Sequence, residues 1–95
     1  MDDNKLQTTG FYWKTGIKAL EIYPNPMVDR AIISFKNPKN ERYRLSITDI
    51  SGKVVYLDDQ IYSDRIEISR EGLNSGLYML ELKGPETFRS KIMIR

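Results

Sequence analysis

Apolar residues in this chain recur at every second position, in short runs, and each run ends at a turn signal. Tyr43, Leu45 and Ile47 alternate with Arg44, Ser46 and Thr48. Tyr78, Leu80 and Leu82 alternate with Leu77, Met79 and Glu81. On extended backbone successive side chains point to opposite faces, so such a run buries one face and wets the other. That is the pattern of a half-buried antiparallel strand. Comparable runs cover Ile17–Tyr23, Arg30–Lys36, Lys53–Leu57, Arg65–Ser69 and a last strand with Phe88, Ile92 and Ile94 on one face.

The segments between the runs are turn chemistry. Pro24 and Pro26 cannot donate ladder hydrogen bonds, and they push Tyr23 and Asn25 toward extended backbone, so Pro24-Asn25-Pro26 reads as a stiff crossover. Asn37-Pro38-Lys39-Asn40 and Gly84-Pro85-Glu86 are turns by composition. Ile50-Ser51-Gly52 reads as a tight hairpin loop, with Gly52 free to take a positive φ. Asp58-Asp59-Gln60 reads as a polar loop or bulge. No segment keeps helical spacing over about ten residues; Glu67–Leu73 is too short and contains Gly72. About seven short strands at regular spacing predict an all-β fold, an immunoglobulin-like antiparallel β-sandwich. Its predicted core is Ile33, Phe35, Leu45, Ile47, Ile66, Ile68, Leu80, Ile92 and Ile94. Leu73, Gly76 and Tyr78 have the spacing of a tyrosine corner, in which the phenol bonds backbone a few residues upstream.

The residue inventory argues against catalysis. The chain has no histidine and no cysteine, which removes the commonest general base, the best thiol nucleophile and any disulfide framework. No Gly-x-Ser-x-Gly, Ser-x-x-Lys or glycine-rich phosphate loop is present. Asp58, Asp59 and Asp64 are oxygen ligands of the kind calcium takes, but their spacing has no calcium-loop signature. No catalytic, cofactor-binding or metal-binding residue is therefore expected. The net charge of +2 is too small to argue for nucleic acid. The tyrosines fall within hydrophobic alternation rather than on a basic stacking platform. No small-molecule substrate is implied either.

Met1–Lys5 is acidic and polar and lacks the features of a signal peptide. No apolar run approaches the ~20 residues of a helical membrane span. Residues 1–16 read as a linker or the tail of an upstream segment, with Phe11-Tyr12-Trp13 between Gly10 and Gly16. The rest, 17–95, reads as one domain. The chain is expected to be the end of a longer precursor, with Met1 added as an initiator.

Four pieces then stand in order: Ile22-Tyr23-Pro24-Asn25-Pro26, Thr48–Val55 with Gly52, Leu73–Tyr78 with Gly76, and Lys91-Ile92-Met93-Ile94-Arg95. Together they resemble the type A C-terminal sorting domain of the type IX, or Por, secretion system of Bacteroidetes. Ile22 replaces a frequent leucine and Ser51 a frequent asparagine. The resemblance implies a non-catalytic secretion signal that directs an upstream cargo from the periplasm across the outer membrane to the cell surface. It implies as partners the outer-membrane export machinery and a surface sortase. It also implies that Lys91, Ile92, Met93, Ile94 and Arg95 are recognised by that machinery. The expected mode is capture of an edge strand through its unpaired backbone ladder. The alternative is a generic fibronectin-III-like or carbohydrate-binding accessory module. A sugar-binding module would display coplanar exposed aromatics, for which Tyr12, Trp13, Tyr56 and Tyr62 are the available residues.

Overall fold

Eight strands in two sheets make up the computed structural model, which describes residues 17–95. The residue 1–16 segment, with its Phe11-Tyr12-Trp13 cluster, lies outside the described residues. The strands are β1 (Ile17–Lys18), β2 (Glu21–Tyr23), β3 (Arg30–Ser34), β4 (Tyr43–Thr48), β5 (Val54–Ile61), β6 (Arg65–Ser69), β7 (Gly76–Lys83) and β8 (Thr87–Ile94). The larger sheet has the order β1-β8-β7-β4-β5 and the smaller has β2-β3-β6. Their inner faces pack together as the two layers of a sandwich.

The alternation seen in the sequence sets which face turns inward. In β4, Tyr43, Leu45 and Ile47 are buried, and in β7 Tyr78, Leu80 and Leu82 are buried. Every residue expected in the core is buried. At one end Phe35 meets Tyr43 and Phe88 edge-on, with ring centroids 5.1 and 5.7 Å apart. These rings join the two sheets, a geometry aromatic pairs favour.

Three expectations need correction. Ile17–Tyr23 is not one strand. The chain leaves the larger sheet after Lys18, buries Leu20, and enters the smaller sheet at Glu21. This switch raises the strand number from seven to eight. The sandwich is also not purely antiparallel, because β1 lies parallel to β8, with Ile17 opposite Thr87 and Lys18 opposite Phe88. Finally, Asp58-Asp59-Gln60 is not a loop but part of β5. Tyr43 pairs with Ile61 and Leu45 with Asp58, so β5 absorbs an extra residue against β4. That is the bulge alternative, which bends and twists a strand without ending it.

Candidate functional site

The segment between β2 and β3 closes onto the last strand. Tyr23–Pro24 and Asn25–Pro26 are both cis peptides. Pro24 and Pro26 have no N–H to offer a neighbouring strand, so the Asn25 side chain supplies what the backbone lacks. A carboxamide carries one acceptor and two donors in a plane, much as a peptide group does. The Asn25 Nδ2 donates to the Lys91 carbonyl at 3.1 Å, and the Met93 N–H donates to Asn25 Oδ1 at 3.0 Å. Met27 then continues with true backbone bonds. Its N–H donates to the Met93 carbonyl at 2.8 Å, and the Arg95 N–H donates to the Met27 carbonyl at 2.8 Å. The Met27 side chain is fully buried, which fixes the segment in place.

The upstream half of β8 is covered in a related way. After the two β1 pairs, the Leu20 N–H donates to Ser90 Oγ at 2.7 Å, and that hydroxyl donates to the Leu20 carbonyl at 3.3 Å. The other edge of β8 pairs with β7 along its whole length. The expected free edge strand is therefore not what the fold contains. β8 lies between β7 on one side and β1, Leu20, Asn25 and Met27 on the other. The cause is long-range, since 68 residues separate Asn25 from Met93.

Of the terminal residues, Ile92 and Ile94 are 1% and 2% exposed. They cannot meet a partner while the domain is folded. Lys91, Met93 and Arg95 are exposed on the outer side. The final pentapeptide thus divides by parity into core anchors and displayed groups.

The corner residues sit beside this end of the sandwich. The Tyr78 hydroxyl donates to the Asn74 carbonyl at 2.7 Å, and Leu73 packs against the core. Gly76 opens β7 with φ at 151°. Arg70, which the sequence did not single out, ties the region together. Its guanidinium donates to the Leu73 carbonyl (2.9 Å), to Ser75 Oγ (3.0 Å), to the Val28 carbonyl and to the Arg95 main-chain oxygen. The Arg70 N–H also donates to the Asp29 carbonyl at 2.8 Å. One side chain so connects the β2–β3 segment, the corner and the end of β8. Its planar fork of donors suits such a junction. No spacing motif announces it.

Gly52 lies in the β4–β5 hairpin, which leaves β4 beside the start of β7, with φ at 91°. An L side chain is strained at such a φ, which accounts for glycine there.

Among the described residues no cluster of three or more acidic side chains could hold a metal ion, and the aspartates at 58, 59 and 64 do not converge. No helix of the described residues is long and apolar enough to cross a membrane.

The family model of the secretion system C-terminal sorting domain matches residues 21–95. The chain belongs to that family. The match takes in both ends of the junction, from β2 and the Pro-Asn-Pro segment to the last strand, and it is the family of the type IX secretion system read from the motifs. The sorting domain also superposes on the crystal structure of a DUF3244 family protein with an immunoglobulin-like β-sandwich fold from Bacteroides vulgatus. The TM-score is 0.64 at 20% identity, over 82% of this chain and 86% of that one. That likeness shows the fold of the sorting domain, an immunoglobulin-like sandwich. No curated protein matches the chain.

Proposed function

We propose that this domain is a non-catalytic address. It directs a cargo joined upstream of it across the outer membrane through the type IX machinery and on to attachment at the cell surface. Residues 1–16 serve as the linker to that cargo, and a surface sortase acts upstream of the folded sandwich. The observation that carries this reading is the family match through to Arg95. The closure of the two motif-bearing ends on one another supports it. A partner that meets the folded domain meets the start and the finish of the signal as one surface.

The recognition groups in this reading are Lys91, Met93 and Arg95. Ile92 and Ile94 contribute by anchoring the strand that displays them. Capture by addition of a strand to β8 is disfavoured, because its outer edge is already engaged by β1 at Thr87 and Phe88 and by Asn25 and Met27 from Lys91 to Arg95. Contact through the exposed side chains remains.

The test fuses a reporter upstream of the whole chain and compares it with the Lys91→Glu, Arg95→Glu double variant. Both side chains point away from the core, so the thermal midpoint of the variant should stay within a few degrees of the parent. Charge reversal should weaken capture and lower the surface-to-periplasm ratio of the reporter. A stable variant exported at the parental level would remove these two residues from recognition. A parental fusion that never leaves the periplasm would remove the sorting function itself.

A further inference from the structure

The two outer faces of the sandwich differ in character. On the smaller sheet the outward positions carry Glu21, Arg30, Arg65 and Glu67, balanced in sign, with Arg30 bound to Glu67 at 3.0 Å. On β4, β7 and β8 of the larger sheet they carry Arg44, Lys83, Arg89 and Lys91 against one carboxylate, Glu81. Arg89 already engages that carboxylate at 2.9 Å.

The same face holds an apolar group at one end. Leu77 lies directly opposite Met93, and Met79 follows on the same face of β7. They are 40%, 42% and 39% exposed. Val54 joins from β5, opposite Thr48, and is also exposed. The inward positions of β4, β7 and β8 carry the apolar core residues, with Ser90 as the polar exception opposite Leu80, so the outward side chains lie outside the core. Scattered single hydrophobics are ordinary on a surface, but adjacent ones on neighbouring strands form a patch. Two of them are methionines, whose flexible thioethers adapt to a partner.

We propose that this outer face of β4, β7 and β8 is a docking surface for a protein whose contact patch has an apolar centre next to a group of carboxylates. The inference rests on the sorting function and supplies the chemistry of the partner. Lys91 and Met93 belong to this face, so the displayed part of the final strand is one border of a wider site. The charge excess selects an acidic partner, which also speeds encounter. The layout selects a protein over a bilayer. Leu77 and Lys83 are six positions apart on β7, roughly 20 Å along the strand. Apolar and cationic ends thus lie side by side along one face of the sheet. A bilayer presents hydrocarbon and charge at different depths, whereas a folded protein presents them side by side.

The experiment uses the reporter fusion carrying the full chain, in cells that export it. One variant removes the apolar end (Leu77→Thr, Met79→Thr, Met93→Thr), which keeps residues suited to strands. A second reverses the far charges (Arg44→Glu, Lys83→Glu). A photo-crosslinking amino acid placed at Thr48, opposite Met79 at the apolar end of the face, is compared with one at Ser34 on the opposite face. Both multiple variants should keep their thermal midpoints and lower the surface-to-periplasm ratio about tenfold, as expected for a loss of a few interface contacts. The Thr48 probe should give a protein adduct that the Arg44→Glu, Lys83→Glu variant loses, and the Ser34 probe should not. Parental export by both folded variants overturns the docking face while leaving the sorting function intact. Failure of the parent fusion to be exported overturns the sorting function, and with it this proposal. Vesicles of phosphatidylglycerol and phosphatidylcholine test the lipid case. Binding to them that both variants abolish, without a protein adduct at Thr48, would overturn the choice of a protein partner.

Discussion

Asn37 shows how a residue with turn composition becomes a structural centre. It is 6% exposed, and its Nδ2 donates to the carbonyls of Glu41 (2.8 Å), Tyr62 (3.2 Å) and Ser63 (3.1 Å). Its Oδ1 accepts the Glu41 N–H at 2.9 Å. The amide pins the loop after β3 to the β5–β6 loop, and a buried polar group is tolerable only with such partners. Asn37→Asp keeps the size and exchanges the donor for a second oxygen facing three carbonyls. It should destabilise the domain by at least about 1–3 kcal/mol near neutral pH, read from the denaturant midpoint. Asp49 plays a comparable part in the β4–β5 hairpin. Its Oδ1 accepts from the Ser51 hydroxyl and from the N–H groups of Ser51 and Lys53. The Ser51 hydroxyl and then the Lys53 N–H hold its carboxyl below the ordinary 3.8. A depressed carboxylate stabilises the fold above its unfolded pKa, and that contribution is lost as the pH falls through the folded value. Asp49→Asn should therefore flatten the stability profile only below about pH 4. Unfolding of parent and variant along an acid series checks this.

At the scale of elements, β8 decides the character of the molecule. A strand ending a sheet normally offers a row of unpaired groups that invites other chains. Here the Asn25 amide and Met27 occupy that row. Asn25→Ala should cost about 1–2 kcal/mol, for the loss of two hydrogen bonds at an accessible edge. It should also speed hydrogen exchange at the Met93 amide more than at the Tyr78 amide. Equal protection in parent and variant would mean that the amide does not hold the edge. The inner face of β4 was legible in the sequence because a central strand with one buried face keeps strict alternation. Ile92 and Ile94 were legible for the same reason. Leu20 and Met27 were not, although both are buried, because they lie outside periodic strands and their burial depends on a distant partner. Asn25 and Asn37 were read as turn formers, since composition cannot say when a side-chain amide will stand in for backbone. The paired outer edge of β8 was hidden for that reason, and so was the guanidinium junction at Arg70. A two-residue strand such as β1 has too little pattern to separate it from β2.

For the whole molecule, the last residues are part of the structure. Removing Lys91–Arg95 strips Ile92 and Ile94 from the core, each worth about 1.5–3 kcal/mol of burial. It also removes every partner of Asn25 and Met27 on β8. Domains of this size hold about 5–15 kcal/mol in total, so the truncated chain should lose its cooperative thermal transition. Calorimetry of the two chains checks this, and it means that a secretion defect from such a truncation reports unfolding. The closure of residues 25–27 onto β8 has a further consequence in time. Synthesis runs from the first residue to the last, yet β1, Leu20, Asn25 and Met27 all wait for one strand made after residue 86. Contacts that span so much sequence cannot form early, since the loop must be closed before any of them is gained. A nascent chain that has reached Pro85 has emitted most of its apolar residues and can pair β4 with β5 and β7, but it cannot yet complete the larger sheet. The junction on β8 therefore stays open until that strand is made, and its closure reports that β8 is present.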